Sequence, residues 1–445
     1  MRLYIRSDWN WKMQTDKTRA IILAAGKGTR MKSELPKVLH PIFNKPLLGF
    51  VLDAINASGL VDESYVIVGH KSELVEDFVS KNYESAKCIL QEPQLGTGDA
   101  VNKAYKDLEN FDGNVIILCG DAPLITPETI TEFVKAHNEA NATLTVMSAI
   151  FDNPTNYGRI VRNENGSLAA IVEEKDASQE QKAIKEINAG IYCLNWQKIK
   201  PAFKNLKCNN AQGEYYLTDI VSWAVKEGLK AQSFILKNNE EIFGINSKTH
   251  LAEATKLLNT KTINKLLEDG VTIVDPQSTF ISPETTIGAD TTILPNVYIT
   301  GKNTIGKNCK IGPCAHIRDG AQIGDNVRIG NFVEIKKSVI KDNTNVSHLS
   351  YIGDSELGSK VNIGAGTITA NYNPITKEKN KTIIKDGANT GSNSVLIAPV
   401  TLNEMASVAA GSVITKDVEA YSLAITRSPL KVITDWVKRK LYTIK

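Results

Sequence analysis

The 445-residue sequence lacks any apolar run that approaches the roughly 20 residues of a membrane-spanning helix. Its first twelve residues, MRLYIRSDWNWK, lack the apolar core of a secretory signal peptide. A strong charge excess is also missing, since 52 Lys and Arg residues face 49 Asp and Glu residues, for a net charge of +3. We therefore expect neither membrane insertion nor a nucleic-acid partner.

Cysteine is scarce, and none of the six cysteines forms a C-x-x-C pair with another. Cys119 and Cys193 lie in apolar, strand-like runs. This pattern is typical of packed, reduced thiols and argues against a disulfide scaffold or a zinc site. We therefore expect a cytoplasmic protein, and its length predicts two or three domains.

Isoleucine, in contrast, recurs at every sixth position of one stretch, and Gly follows five of these isoleucines. Neither a helix nor a single strand has this period. A parallel β-helix has it, because each short side of a coil directs one aliphatic side chain to the axis. The ten isoleucines are Ile281, Ile287, Ile293, Ile299, Ile305, Ile311, Ile317, Ile323, Ile329 and Ile335.

Apolar, strand-like segments alternate with helical patterns before this stretch, which predicts an α/β unit with a parallel sheet and crossover helices. After Ile335 the six-residue period slips, and we expect the interruptions to be loops outside the stack. The predicted divisions are an N-terminal extension at 1–18, the α/β domain at 19–246, a connecting helix at 247–270, the β-helix at 271–428 and a tail at 429–445 with a short amphipathic helix. An alternative for the N-terminal extension is that the sequence begins at an upstream start and that Met13 is the true first residue.

The loop from Leu23 to Met31, LAAGKGTRM, lies between a predicted strand and a helix. Its small residues allow backbone N–H groups to approach an anion, and Lys27, Arg30 and Lys37 bring three cations to the region. The loop is neither a G-x-G-x-x-G motif nor a P-loop. It predicts a site for a triphosphate.

Asp121 follows the apolar strand VIILCG. Ligands of open α/β sheets bind beyond the carboxyl ends of the strands. An acidic residue there, facing a phosphate loop, suggests a Mg²⁺ ligand. The alternative, an N-cap for the helix near Thr126, is less favoured because Asp121 lies about five residues too early.

Further motifs extend over most of the chain: LPKVLHP, Gln91 with LGTG, CGDAPL, YGRI, VEEKDA, EINAG, QGEYYLTDI and GIN. With LAAGKGTRM they resemble the bifunctional bacterial N-acetylglucosamine-1-phosphate uridyltransferase / glucosamine-1-phosphate acetyltransferase family. The resemblance implies an α/β Rossmann-like nucleotidyltransferase (pyrophosphorylase) domain followed by a left-handed parallel β-helix of hexapeptide repeats. It covers about 19–427.

The resemblance also implies roles in uridylyl transfer, in which a sugar phosphate attacks the α-phosphate of UTP and expels pyrophosphate. Arg30 and Lys37 would be catalytic, by neutralising the phosphates. The residues implied to bind UTP or the UDP-sugar are Leu23, Ala24, Ala25, Gly26, Lys37, Gln91, Gly96, Thr97, Gly158, Glu173, Asn188 and Asn246, with Asp121 and Asn246 as Mg²⁺ ligands. Cys119 and Asp99 stand where some members have Tyr and His, and Asp99 is assigned no role.

A second polar cluster lies where the isoleucine period is broken. His348 stands out, because a neutral imidazole is a natural base for an amine that attacks a thioester. The resemblance implies that His348 is the general base of acetyl transfer, and Glu334 is a hypothetical partner that orients it. The residues implied to bind the amino sugar phosphate or acetyl-CoA are Arg318, Lys336, Tyr351, Asn362, Ala365, Asn371, Tyr372, Ser392, Ala410 and Arg427. The loop at 373–381 looks longer than in some members.

The favoured function is therefore a two-step synthesis of UDP-N-acetylglucosamine, a precursor for peptidoglycan and lipid A, from glucosamine-1-phosphate, acetyl-CoA and UTP with Mg²⁺. The resemblance implies a homotrimer. One alternative is a nucleotidyltransferase for another sugar or nucleotide, with the β-helix as a passive assembly module. Another is an interaction solenoid with an inactive first domain, which the intact Arg30, Lys37, Asp121 and Asn246 argue against.

Overall fold

The structure is a computed structural model that describes residues 17–442. The chain divides into two compact units, the first ending at Leu257 and the second beginning at Leu258. Met13 and nearly all of the predicted N-terminal extension lie outside the described residues, as do residues 443–445 of the tail. None of the described helices combines the length and apolarity that crossing a membrane demands.

The first unit is built from short strands and helices that follow one another along the chain. Its strands are β1 (Thr18–Leu23), β2 (Pro41–Ile42), β3 (Lys45–Pro46), β4 (Val61–Val68), β5 (Ala86–Leu90), β6 (Asn114–Cys119), β7 (Leu144–Ile150), β8 (Arg159–Arg162), β9 (Leu168–Val172), β10 (Glu186–Asn195) and β11 (Ala231–Ile235). Its helices are α1 (Leu47–Ser58), α2 (Ser72–Asn82), α3 (Thr97–Lys103), α4 (Pro127–Glu139), α5 (Gln179–Lys182), α6 (Trp196–Phe203) and α7 (Asp219–Lys226), with 3₁₀ turns at Thr29–Met31, Lys37–Leu39 and Asn239–Ile242.

The main sheet of this unit has the strand order β11-β7-β10-β6-β1-β4-β5, with the β8–β9 hairpin attached at β10. β1 runs parallel to β4 and β6, and β4 runs parallel to β5. β10 is antiparallel to both β6 and β7, so the prediction of a parallel sheet is wrong at this strand. The reason is the β8–β9 hairpin after β7, from which the chain enters β10 from the opposite end.

Both faces of this sheet are covered by apolar side chains. Ile22 belongs to one buried cluster and Ile21 to the other, because successive residues of a strand point to opposite faces. This accounts for the continuous apolar runs in the sequence, which strands buried on both faces require.

Helix α8 (Lys248–Glu268) occupies the segment predicted to be a connecting helix. In the second unit, the Asn259 amide lies over the start of the β-helix. It donates to the Thr279 carbonyl at 2.8 Å and accepts from the Ile281 N–H at 2.9 Å. This side chain caps backbone groups at the open end of the stack, as solenoids require of their terminal elements.

The second unit is a left-handed parallel β-helix whose strands form three sheets, each a side of a prism. Side one contains β12 (Thr272–Ile273), β15 (Thr292–Ile293), β18 (Lys310–Ile311), β21 (Arg328–Asn331), β24 (Asn345–His348), β27 (Asn362–Ile363), β30 (Asn389–Thr390), β33 (Ser407–Val408) and β35 (Leu423–Ala424). Side two contains β13 (Phe280–Ile281), β16 (Tyr298–Ile299), β19 (His316–Ile317), β22 (Glu334–Lys336), β25 (Tyr351–Gly353), β28 (Ile368–Ala370), β31 (Val395–Ile397) and β34 (Val413–Ile414). Side three contains β14 (Thr286–Ile287), β17 (Thr304–Ile305), β20 (Gln322–Ile323), β23 (Val339–Ile340), β26 (Ser355–Leu357), β29 (Thr382–Ile384) and β32 (Val400–Leu402).

The isoleucines line the axis as predicted. Ile281, Ile299, Ile317 and Ile335 stack in register on side two, and all four are fully buried. The same pairing holds on the other two sides. The stack continues to Ile414 and Val418 and is followed by a tail that carries α9 (Trp436–Tyr442).

A column of aspartates explains glycines that follow the isoleucines. Asp325 Oδ1 accepts the Lys307 N–H of the preceding coil at 2.7 Å, and Asp342 Oδ1 accepts the Asp325 N–H at 2.8 Å. A Cβ on Gly324 would collide with Asp342 Oδ1. Gly is needed there because a carboxylate of the next coil satisfies the backbone at that corner.

The break in the six-residue period is mostly a shortening rather than a loop, which corrects the prediction. The axial residues Ile335 and Ile340 lie five positions apart, as do Ile352 and Leu357. Ser338 Oγ tightens the first short corner by donating to the Lys336 carbonyl at 2.8 Å. The segment 371–381 does leave the stack as a loop, closed by a bridge between Tyr372 and Lys379.

Candidate functional site

The predicted phosphate loop leaves the carboxyl end of β1. Ala24 and Ala25 are buried and adjoin the neighbouring strand, since the Ala24 N–H donates to the Ile67 carbonyl at 2.9 Å. Gly26, Lys27 and Arg30 are exposed beyond them. Gly28 has φ 59°, and a Cβ there would lie 2.7 Å from Lys37 Cβ. Gly at this position therefore lets the Lys37 side chain pack against the loop.

Lys37 joins the predicted metal ligands. Its ammonium contacts Asp121 Oδ2 and lies 3.1 Å from Asn246 Oδ1. The Asp121 carbonyl accepts the Ile245 N–H at 2.9 Å, which holds the two ligand segments together. Thr126, not Asp121, caps α4, as the sequence argument expected. The side chains of Asp121 and Asn246 thus both contact the Lys37 ammonium, and the three residues come from three separate segments of the chain.

This arrangement fits a Mg²⁺ site. Two side-chain oxygens already share the positive charge of Lys37, with the Lys37 and Asp121 side chains 18% and 14% exposed. Within residues 17–442 no group of three or more His, Cys, Asp or Glu side chains could hold a metal. Mg²⁺ does not need such a group, because it usually takes one or two carboxylates together with substrate phosphates and water.

The second segment predicted to bind the nucleotide, Gln91 to Gly98, is joined to the predicted phosphate loop by a residue that sequence analysis missed. Gln94 Nε2 donates to the Ala25 carbonyl at 2.6 Å. Gln91, just after β5, is 4% exposed, and its Nε2 donates to the Gly96 carbonyl at 3.0 Å. No signal marked Gln94, because the partner of its amide is 69 residues away in the sequence.

The motif QGEYYLTDI forms hydrogen bonds with the Gln91–Gly98 segment. The Tyr215 N–H donates to the Leu95 carbonyl at 2.8 Å, and the Gly98 N–H donates to the Tyr215 carbonyl at 2.8 Å. The Thr97 hydroxyl accepts the Leu217 N–H at 3.0 Å. The hydroxyl of Thr97 is thus engaged in holding the loop.

The residues predicted to hold the sugar also meet. A Cβ on Gly158 would lie 3.4 Å from Glu173 Oε2 and 3.5 Å from Asn188 Cβ. Asn188 is fixed by donating to the Tyr192 hydroxyl and accepting the Gly190 N–H, both at 2.9 Å. Burial raises the pKa of the Glu173 carboxyl. This pocket lies near the end of β6, since a Cβ on Gly190 would be 3.3 Å from Cys119 Sγ.

Cys119 is not a nucleophile in this arrangement. Burial, with Asp121 nearby, raises the pKa of its thiol to about 12. Since the thiolate is the reactive form, the thiol is inert near neutral pH.

On the β-helix, one group of predicted residues occupies side two. The Arg318 N–H donates to the Ile335 carbonyl, so Arg318 and Lys336 occupy equivalent places one coil apart. The Tyr351 hydroxyl reaches over Gly353, the next residue of that column. Asn371 is 7% exposed and donates to the Asp354 carboxylate.

Lys379 is a further cation at this group that sequence analysis did not name. Desolvation, followed by the proximity of Lys379 and Arg318, lowers the pKa of Lys336. The 371–381 loop places Lys379 there, because its hairpin pairs Lys379 with Tyr372 and directs the extra residues outward, with Ile375 90% exposed. Three cations on one face are suited to bind a phosphate.

A second group follows the corner between sides one and two. The carbonyls of His348, Ala365 and Ser392 each accept an N–H at the corner of the next coil, from Gly366, Asn393 and Gly411. The His348 side chain is exposed. Ala410 adjoins Gly391, and Arg427 adjoins Gly411, so both extend this column. Asn362 is on side one, and Tyr372, 52% exposed, begins the loop.

The two groups are not linked by hydrogen bonds within the described part of the chain. Among residues 17–442 no hydrogen bond joins His348 to Arg318, Lys336 or Tyr351. Glu334 lies on side two and accepts from Arg318 at 2.9 Å, and no hydrogen bond between Glu334 and His348 is present in that range. The structure therefore does not support Glu334 as the residue that orients His348 within one chain.

Comparison with known proteins matches both units. The nucleotidyl transferase family model matches 19–251. The bacterial transferase hexapeptide model (six repeats) matches 304–337, and the model for the hexapeptide repeat of succinyl-transferase matches 381–416.

Three curated proteins, each named bifunctional protein GlmU, match nearly end to end. The protein of Acetivibrio thermocellus is 44% identical, over 95% of this chain and 97% of its own length. That of Alkaliphilus metalliredigens is 42% identical, over 95% and 99%. That of Geobacillus thermodenitrificans is 44% identical, over 93% and 96%.

Proposed function

Because the chain belongs to the family of bifunctional GlmU proteins, we propose that its two units carry out the two reactions predicted from the sequence. The β-helix transfers an acetyl group from acetyl-CoA to glucosamine-1-phosphate. The α/β unit then transfers a uridylyl group from UTP to N-acetylglucosamine-1-phosphate and releases pyrophosphate. The chain is thus both an acyltransferase and a nucleotidyltransferase.

The observation that carries the uridylyl assignment is the convergence of Lys37, Asp121 and Asn246 beside the Ala24–Ala25 loop. The sugar phosphate is already anionic, so the attack on the α-phosphate needs no protein base. The chain must orient the two phosphates and offset their charge, which Arg30 and Lys37 do. Asp121 and Asn246 would hold Mg²⁺, which would supply further neutralisation of the triphosphate.

We assign substrate selection in this unit to two groups of residues. Gln91 and the Gly96–Thr97 backbone face the base, while Leu23 and Gly26 border the nucleotide. The sugar lies against Gly158, Glu173 and Asn188. The neighbouring Gln94, which ties the base segment to the phosphate loop, keeps the two ends of the nucleotide site at a fixed spacing.

Acetyl transfer requires a base for the amine and a holder for the phosphate. His348 has an exposed imidazole that can take the proton as the amine attacks the thioester. Arg318, Lys336 and Lys379 bind the phosphate, with Tyr351 at the sugar. The residues that border acetyl-CoA or the sugar are Asn362, Ala365, Asn371, Tyr372, Ser392, Ala410 and Arg427.

We also propose a homotrimer, which is supported by the division of the two groups between a corner and a side of the prism. The base is on a corner and the phosphate group on side two of the same prism, and no hydrogen bond joins them within the described chain. A second copy that brings its corner to side two of the first would complete the site, and a three-sided prism allows this to close with three copies. The product would serve a cytoplasmic pathway to peptidoglycan and lipid A.

The test is an assay of the full chain with glucosamine-1-phosphate, acetyl-CoA, UTP and Mg²⁺, in which free thiol and pyrophosphate are followed separately. We expect thiol release without UTP, and pyrophosphate release that depends on the acetylated sugar phosphate. Pyrophosphate without thiol would favour the single-activity nucleotidyltransferase. Release of neither product would contradict the proposed function and would leave only a nucleotidyltransferase for another sugar or nucleotide.

A further inference from the structure

Asp99 stands in the first turn of α3, directly behind Gln91. Its Oδ2 accepts a hydrogen bond from Gln91 Nε2 at 2.8 Å, and its Oδ1 lies 3.3 Å from Lys103 Nζ. The Asp99 side chain is 12% exposed, and Gln91 is 4% exposed. The pair is therefore largely shielded from water, where a hydrogen bond to a charged group is strongest.

The orientation of the Gln91 amide follows from its partners. Nε2 has two hydrogens, and its two neighbours, the Gly96 carbonyl at 3.0 Å and the Asp99 carboxylate, can only accept. A flipped amide would place Gln91 Oε1 against both of these oxygens. The amide nitrogen is thus fully used, and Oε1 is the polar atom left to meet a ligand, with no hydrogen bond of its own among residues 17–442.

A fixed acceptor discriminates between pyrimidine bases. Uracil has an N–H donor at N3, whereas cytosine has a bare acceptor nitrogen at the same place. An amide free to rotate could present its N–H to cytosine and its oxygen to uracil. An amide held with its oxygen forward pairs with uracil and opposes cytosine, and such mismatches in a buried polar site are costly.

We infer that Asp99 is the positioning residue that holds the Gln91 carbonyl toward the N3–H of the uracil ring and so sets the preference for uracil over cytosine nucleotides. This inference rests on the proposed use of UTP at Gln91. Lys103 offsets the charge of Asp99, so the carboxylate can act as an acceptor without repelling the triphosphate.

The test measures kcat/KM for UTP and CTP with the full chain, Mg²⁺ and N-acetylglucosamine-1-phosphate. Asp99→Ala should lower the UTP/CTP ratio about tenfold, the value of one hydrogen bond to a charged group. Asp99→Asn should keep the ratio to within about twofold, because its amide oxygen still accepts from Gln91. Asp112→Ala, at an exposed position, is the matched control and should leave the ratio unchanged.

Asp99→Leu guards against a folding defect of the alanine variant, since it fills the space without accepting a hydrogen bond. Acetyl transfer and thermal unfolding report whether each variant is intact. The inference is overturned if folded Asp99→Ala or Asp99→Leu keeps the wild-type ratio, or if UTP and CTP lose turnover in equal proportion.

N3-methyl-UTP separates this inference from the proposed function. The wild type should use it at least about tenfold less well than UTP, because the methyl group replaces the N3–H. Equal use of both nucleotides would overturn the inference and leave uridylyl transfer standing. If the wild type released no pyrophosphate from UTP itself, the proposed function would be the part that failed.

Discussion

The two units assemble their candidate sites differently. In the α/β unit, Lys37 meets Asp121 and Asn246 across 84 and 209 residues of sequence. In the β-helix, Arg318 and Lys336 are neighbours because they are one coil apart. The site in the α/β unit exists only when the whole sheet has formed. A column of side chains in the β-helix, in contrast, forms wherever two coils stack. The first unit gathers its groups in one place, and the second distributes them over a side and a corner.

The two largest expected effects are losses of activity, and the first concerns the meeting point of Lys37, Asp121 and Asn246 in the first unit. Asp121→Ala should reduce uridylyl transfer roughly 10³-fold, because Lys37 and a bound cation lose their carboxylate partner. Acetyl transfer should remain, as measured by thiol release. Loss of both activities in a folded variant would mean that the two sites are not independent.

The converse substitution is in the β-helix. His348→Ala should lower acetyl transfer about 10²–10⁴-fold by removing the base, with uridylyl transfer intact. Separate thiol and pyrophosphate assays measure the two effects. A variant with normal thiol release would show that another group takes the proton.

The column of isoleucines that lines the axis of the β-helix is the next feature to test. Ile311→Ala should destabilise the β-helix by about 2–5 kcal/mol, because Ile311 is fully buried and a cavity would remain between coils. Lys310→Ala, the outward neighbour on the same strand, should change stability by less than about 0.5 kcal/mol. Denaturant unfolding measures the free energy of unfolding of both variants. Equal losses of stability would contradict the conclusion that the axial isoleucines stabilise the β-helix.

Acidification should destabilise the first unit through the protonation of His137. This side chain is 2% exposed and its Nδ1 lies 2.8 Å from Thr145 Oγ1; desolvation, with a contribution from Lys198, lowers its pKa from 6.5 to about 4. The unfolded chain therefore binds the proton first, and stability is lost as pH falls from about 6.5 to 4, by about 3 kcal/mol.

His137→Gln should remove most of that loss. Hydrogen exchange of the β7 amides at pH 7 and pH 4.5 provides the measurement, because β7 carries Thr145. If the variant and the wild type lose protection equally on acidification, another group is responsible.

The smallest expected effect is at the corner of the β-helix. Gly324→Ala should cost about 1–2 kcal/mol, because its Cβ displaces Asp342 from the Asp325 N–H. In an Asp342→Ala background the same change should cost less, since the obstructing carboxylate is gone. Additive losses in thermal unfolding would contradict the coupling.

Much of the architecture could be predicted from local patterns. The period of six identified the β-helix, because it depends on residues close together in the chain, and LAAGKGTRM predicts an anion loop for the same reason. The prediction failed at β10, whose direction depends on the hairpin before it, and at the slip after Ile335, where a missing residue and an inserted loop disturb the period alike. Only the structure distinguishes these two causes.

The individual site residues divide in the same way. Arg30, Lys37, Asp121 and His348 lie in motifs or in irregularities that a sequence displays. Gln94 and Lys379 carry no such mark, and Asp99 is visible only as a departure from the His of some family members. Each of the three is defined by a partner brought near in space: the Ala25 carbonyl, the Lys336 ammonium and the Gln91 amide, respectively for Gln94, Lys379 and Asp99.

The sequence by itself therefore determined that a repeating aliphatic axis follows an α/β unit, and it predicted a phosphate loop in that unit, because periodicity and small-residue loops are local properties. The tertiary structure alone decided that Lys37 bridges Asp121 and Asn246, that Asp99 accepts a hydrogen bond from the Gln91 amide, and that the residues predicted for acetyl transfer divide between a corner and a side. These relations arise from sheet order and from shortened coils, which set distances between residues that no spacing in the chain encodes.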